Sequence, residues 1–164
     1  MMQVRRLVTL TYLTTILFAA QIGLSFLPNI ELVSLLIIVY TLVYGRQVFL
    51  IIYTFVFLEG LVYGLGLWWI NYLYVWSILA IFTLLFRKNT SLILWSIFSG
   101  AFGLAFGLLC AIPNVFLTGF AGGVAYWIMG IPFDVLHCAG NAVVCLVLMK
   151  PVKRVVEAGK RWMK

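Results

Sequence analysis

Charge is scarce in this chain of 164 residues. Only four residues are acidic, and Asp, Glu, Lys and Arg together make up 9% of the sequence, against roughly 25% in a soluble domain. The single histidine, His137, excludes a metal site built from several imidazoles. The three cysteines, Cys110, Cys138 and Cys145, form no CxxC pair and fall within or at the edge of apolar runs, so they read as small buried hydrophobes. There is no GxxxxGK[ST] phosphate loop. One histidine and scattered carboxylates offer little from which to assemble convergent acid, base and metal chemistry, so neither an enzyme nor a resident cofactor is expected.

What the chain has in excess is apolar surface. Hydrophobic residues make up 65% of it and the mean hydropathy is +1.17, which defines an all-α integral membrane protein forming one domain over residues 1–164. All eleven Lys and Arg residues fall on one side of a bilayer if the apolar runs are threaded across it six times. A core of about 20 helical residues per crossing, shorter where a helix is recessed, places spans near 7–27, 31–44, 47–66, 68–86, 91–112 and 132–149. Short loops rich in Lys and Arg stay cytoplasmic, so both termini are expected inside, with Gly45-Arg46 and Arg87-Asn89 as inner turns. The first run lacks a small-x-small cleavage pattern and reads as an uncleaved span. The net charge of +7 lies on this cytoplasmic rim rather than on a face that could track phosphates, so nucleic acid is not an expected partner. The basic tail Lys150, Lys153, Arg154, Lys160, Arg161 and Lys164 fits a surface of anionic lipid or a docking partner.

Residues 114–131 are apolar enough to imitate a seventh span. A seventh crossing would export the basic tail, and Gly119, Gly122, Gly123 and Gly130 suit a broken segment, so an outer re-entrant or capping element able to close a pocket is expected there. Three of the four acidic residues, Glu31, Glu59 and Asp134, then lie on the outer half. A carboxylate within hydrocarbon costs about 2.5–3.5 kcal/mol and turns toward the bundle interior or water, which makes Glu59 a candidate ligand or proton contact, or else a carboxylate bonded to a neighbouring Tyr or Trp. Asp134, His137 and Asn141, spaced i, i+3 and i+7, share one helix face. Pro132 and Asp134 also fit the first turn of a helix, where the dipole favours a carboxylate. His137 reads either as a satisfied structural residue or as a ligand contact.

Aromatics concentrate at the start of the fourth span, with Trp68, Trp69, Tyr72 and Trp76 around Asn71, and again at Tyr126-Trp127. Interfacial belts account for part of this density, and the remainder fits a pocket for a flat heteroaromatic solute. Asn114 adds a polar group at the start of the proposed cap. Small residues form two ridges: Thr11, Thr15, Ala19 and Gly23 on the first span, open to a protein partner, and Ser99, Gly103 and Gly107 on the fifth, suited to packing within the bundle.

The segment Gly130-Ile-Pro-Phe-Asp134-Val-Leu-His137-Cys-Ala-Gly140-Asn141, followed by an apolar helix and Lys150-Pro151, resembles the substrate-binding S components of energy-coupling-factor (ECF) transporters. The size, the six-span layout, the inward termini and the small-residue ridge extend the resemblance over nearly the whole chain. The family's Ala-x-x-x-Ala pattern on the first helix has a looser counterpart here, Thr15 followed by Ala19-x-x-x-Gly23. The resemblance implies a multi-pass protein of the bacterial plasma membrane that captures a vitamin or related micronutrient from outside. It also implies delivery inward together with a transmembrane coupling subunit and two ABC ATPases. In that picture Thr15, Ala19 and Gly23 contact the coupling subunit. Glu59, Trp68, Trp69, Asn71, Tyr72, Trp76, Asn114, Tyr126, Trp127, Asp134, His137 and Asn141 supply the pocket candidates. A small oligomeric channel or proton-coupled transporter is the alternative, since one membrane carboxylate would serve either.

Overall fold

A computed structural model describes residues 2–162. The protein is helical, with no strand among the described residues: α1 (Met2–Leu24), α2 (Val33–Tyr44), α3 (Val48–Tyr63), α4 (Leu67–Leu85), α5 (Leu92–Cys110) and α6 (Ile112–Trp162). Five stretches, Val4–Leu24, Val33–Tyr63, Leu67–Leu85, Leu92–Cys110 and Ile112–Arg161, are long and apolar enough to cross a membrane. Large apolar side chains such as Leu7, Phe57 and Ile97 are exposed around the bundle, as they are where the surrounding solvent is hydrocarbon.

The stretch Val33–Tyr63 is not one rod. Gly45, at φ 61°, turns the chain through a short 3-10 segment, Gly45–Gln47, which suits a residue without a Cβ. The contacts on either side show a reversal. Glu31, just before α2, meets His137 of α6, whereas Tyr44 at the end of α2 bonds to Val156, far along α6 in the other direction. α3 then returns, so that its late residues Glu59 and Tyr63 share a cavity with Tyr72.

α2 is the axis of the bundle, with eleven of its twelve residues buried against α4, α6, α3 and α1. Its unbroken run of Leu, Ile and Val leaves no polar face to present elsewhere. Two of the polar residues it carries bond within the core: Thr41 Oγ1 donates to Ile37 O, and Ser34 Oγ accepts from Asn141, whereas the buried Tyr40 hydroxyl has no partner among the described residues.

α5 and α6 form the most extensive interface. The reason is the ridge of small residues. A Cβ on Gly103 would lie 2.7 Å from the His137 carbonyl oxygen, and one on Gly107 would collide with the Asp134 carboxylate, so only glycine allows these backbones to come so close. Ser96 Oγ adds a bond to Ala142 O across the seam. This is the internal packing expected of the fifth span. By contrast, Thr11, Thr15, Ala19 and Gly23 on α1 are all exposed, and nothing lies within 4 Å of where a Gly23 Cβ would stand.

Two expectations for the last third of the chain are corrected. Helix does not begin at Pro132, because α6 runs through Pro132 and Pro151 without interruption. Asp134 therefore sits within a helix rather than in a first turn, and it is held by the Gly107 N–H rather than by a helix terminus. Residues 114–131 are helical too, broken only at Gly119, where φ 77° and ψ 171° reverse the chain. Beyond it, Gly123, Val124 and Trp127 pack back onto Leu108, Ala111, Ile112 and Val115. The result is an apolar helical hairpin, with Phe116 and Phe120 on either side of the break 85% and 77% exposed. A helix as short as 112–118 is marginal alone, and this return strand of helix supplies its packing.

Candidate functional site

The helix ends that gather at one pole of the bundle enclose two adjoining cavities, which share Gln21, Ser25 and Tyr72. The first, of about 250 Å³, lies beneath the α1–α2 loop and is walled by Leu27, Pro28, Asn29, Ile30 and Glu31, with Trp76, Phe106 and His137 behind. The second, of about 380 Å³, is bounded by Glu59, Tyr63 and Trp68. Both are of the order of small-molecule sites, roughly 300–1,000 Å³.

The loop is built to stay in place. Leu27 N–H bonds to Leu24 O, Asn29 takes a positive φ of 60°, and Asn29 O lies against Gly140, where a Cβ would come within 3.1 Å. Glu31 then closes it. One carboxylate oxygen accepts the Ser34 N–H at 2.8 Å, satisfying a free donor of the first turn of α2, and the other lies 3.3 Å from His137 Nε2. Burial works to raise the Glu31 pKa. The hydrogen bond and charge of His137, together with Ser34, outweigh it and hold the carboxyl below its ordinary value of 4.5.

His137 is fixed from the other side by the ring of Phe106, whose centroid is 5.0 Å away, edge to face. The face of α6 that carries it continues as Asp134, Asn141, Cys145 and Met149, all buried at helical spacing. Asn141 Nδ2 donates to Ser34 Oγ at 3.2 Å, so His137 and Asn141 together clasp the start of α2.

The aromatic wall is made by α4. Trp68, Tyr72 and Trp76 stand one turn apart, each ring nearly perpendicular to the next, with centroids 5.4 and 5.3 Å apart. Tyr72 OH accepts from Gln21 Nε2 at 3.3 Å, which ties α1 to this wall. Glu59 is 2% exposed, and its Oε1 has no hydrogen-bond partner among the described residues.

Of the sequence-predicted site residues, the structure gathers Glu59, Trp68, Tyr72, Trp76 and His137 around the cavities. The others stand elsewhere. Trp69 Nε1 donates to Val56 O, its indole in the notch left by Gly60. The Tyr74 hydroxyl lies 2.7 Å from Leu109 O and 2.9 Å from Asn71 Oδ1, sharing its one proton between them, and so ties α4 to α5. Asn114 donates to Cys110 O within its own turn, and Asp134 and Asn141 serve the α5 and α2 contacts described above. Tyr126 is exposed, and Trp127 lines the small apolar cavity within the hairpin and neither of the two main cavities. No residue of 114–131 lines either main cavity, so the expected covering role falls to residues 27–31. Gln21, Ser25, Glu31 and Phe106 were not among the sequence candidates. Glu31 carried the signal that could have found it, a carboxylate three residues before a helical N–H in an apolar setting.

Comparison with known protein families, with curated proteins and with solved structures finds no match to this chain.

Proposed function

We propose that the chain is the substrate-binding S component of an ECF-type importer in a bacterial cell membrane. It crosses the bilayer six times with both termini inside, captures a vitamin-like small molecule from outside and delivers it with a coupling subunit and two ABC ATPases. One observation carries the reading. A pair of adjoining aromatic cavities of small-molecule size, one holding the buried Glu59 and the other the part-buried Glu31, lies at the pole of the bundle away from every Lys and Arg of the described residues. Lys164, in the basic tail, lies outside the described residues. The charge rule makes the basic pole cytoplasmic, and the cavity then faces outward. The exposed Thr11, Thr15, Ala19 and Gly23 ridge on α1 supports docking to a coupling subunit, because small residues permit close approach of a partner helix.

The test is to purify the full chain in mild detergent, denature it and identify released compounds by mass spectrometry. A single vitamin-like compound in near-equimolar amount, depleted in Trp68→Ala, is the expected result; a preparation that neither carries nor takes up any solute sinks the reading. Orientation is checked by labelling single cysteines placed at Asn89 and Leu65 with a membrane-impermeant maleimide in intact cells, where only the second should react. A proton-coupled transporter is favoured by one specific feature, the buried Glu59 within an apolar bundle, whose Oε1 has no hydrogen-bond partner among the described residues. That protein would move solute alone in proteoliposomes, whereas an S component requires its ATPases.

A further inference from the structure

We infer that the solute is an organic cation, held with its positive charge between the Glu59 carboxylate and the faces of Trp68 and Tyr72. The inference rests on the binding-subunit reading and specifies its substrate class.

The ionisable groups near the cavities are unbalanced. Glu31 is answered by His137, but Glu59 has no cationic partner among the described residues, and neither cavity is lined by a Lys or Arg of those residues. A carboxylate that is 2% exposed in an apolar bundle carries a desolvation cost that a bound positive charge offsets more fully than a neutral donor does. The walls beside it favour the charge over the proton. Tyr63 stands edge-on to Trp68 at 85° and Trp68 edge-on to Tyr72 at 88°, and all three rings line the cavity together with Glu59. Ring faces attract a cation electrostatically, and more strongly when it is desolvated.

Other occupants fit less well. A neutral flat molecule would stack on the rings and offer Glu59 a neutral hydrogen bond at most, and an anion in the second cavity would meet the Glu59 carboxylate with no Lys or Arg to receive it. A bare metal ion lacks ligands, since no three His, Cys, Asp or Glu side chains converge among the described residues. The cavity of about 380 Å³ accommodates a heteroaromatic ring bearing a quaternary or protonated nitrogen.

Three probes of similar size separate the charge states: 1-methylpyridinium, benzamide and benzoate, titrated into full-length protein freed of co-purified compound. Calorimetry and thermal shift are the readouts. Saturable binding of 1-methylpyridinium alone is expected, weakened at least tenfold by Glu59→Gln and retained within a few-fold by Glu59→Asp. Trp68→Leu provides a second variant in case Glu59→Gln fails to fold, and it too should weaken the cation at least tenfold. Preferential binding of benzamide or benzoate, or an unchanged affinity in both variants, overturns the cation while leaving a binding subunit in place. Saturation by none of the three overturns both.

Discussion

Substituting alanine for Gly103 tests whether the close α5–α6 seam holds the site together. The new Cβ would stand 2.7 Å from His137 O, 2.8 Å from its carbonyl carbon and 3.0 Å from Cys138 N, all backbone atoms that no rotamer change can move. Ordinary contact begins near 3.4 Å, so the helices must part by roughly 0.7 Å at this level. Overpacking of this kind costs about 1–3 kcal/mol, and the upper half of that range applies because both helices are pinned, by Ser96 to Ala142 and by Asp134 to Gly107. Alanine's higher helix propensity returns about 1 kcal/mol. A net loss of about 1–2 kcal/mol remains, equivalent to about 2–8 °C in a chain of this length. A thiol-reactive dye reports unfolding directly, since Cys110 and Cys145 are buried. Gly23→Ala, with nothing within 4 Å, is the matched control and should be neutral or slightly stabilising. Equal melting temperatures for the two variants would refute the close-packed seam, and with it the account of how His137 reaches Glu31.

Acid should weaken the protein through Glu31. Its folded pKa lies below 4.5, so the folded state binds fewer protons than the unfolded state in the window just beneath that value. The contribution is complete above the ordinary value and is lost as pH falls through the folded one; a Glu31→Gln profile as steep as wild type below pH 4.5 would contradict this. Asn141→Ala should cost about 1–3 kcal/mol by leaving Ser34 without its buried donor, measured by the same melting assay against the exposed Val143→Ala. Trp69→Phe and Trp68→Phe should separate stability from binding. The first loses the bond to Val56 O and about 1 kcal/mol of stability with solute affinity kept, and the second loses affinity with stability kept. A reversed pattern in melting and titration would show that the two rings have been assigned to the wrong tasks.

The sequence by itself determined the helices and their apolar surface. Runs of Leu, Ile, Val and Phe with 9% charged residues, long enough to cross a membrane, can satisfy their backbone in hydrocarbon only as helices. Helical spacing also placed Asp134, His137 and Asn141 on one face and the fifth-span glycines in a packing seam, because both are properties of a single helix. The tertiary structure decided which partner each of those faces meets. Trp68 and Trp69 are equivalent as composition, yet one lines a cavity and the other is spent on Val56, because adjacent positions on a helix diverge by about 100°. Glu31 belonged to the site only once α6 brought His137 to it across 106 positions of chain. Pro132 looked like a helix start, since local propensity favours that position, but packing of α6 against α5 and the reversal at Gly119 carried the helix through it. A single glycine with positive φ decided that residues 114–131 stand beside the cavities rather than over them, and no hydropathy pattern encodes the direction of such a turn.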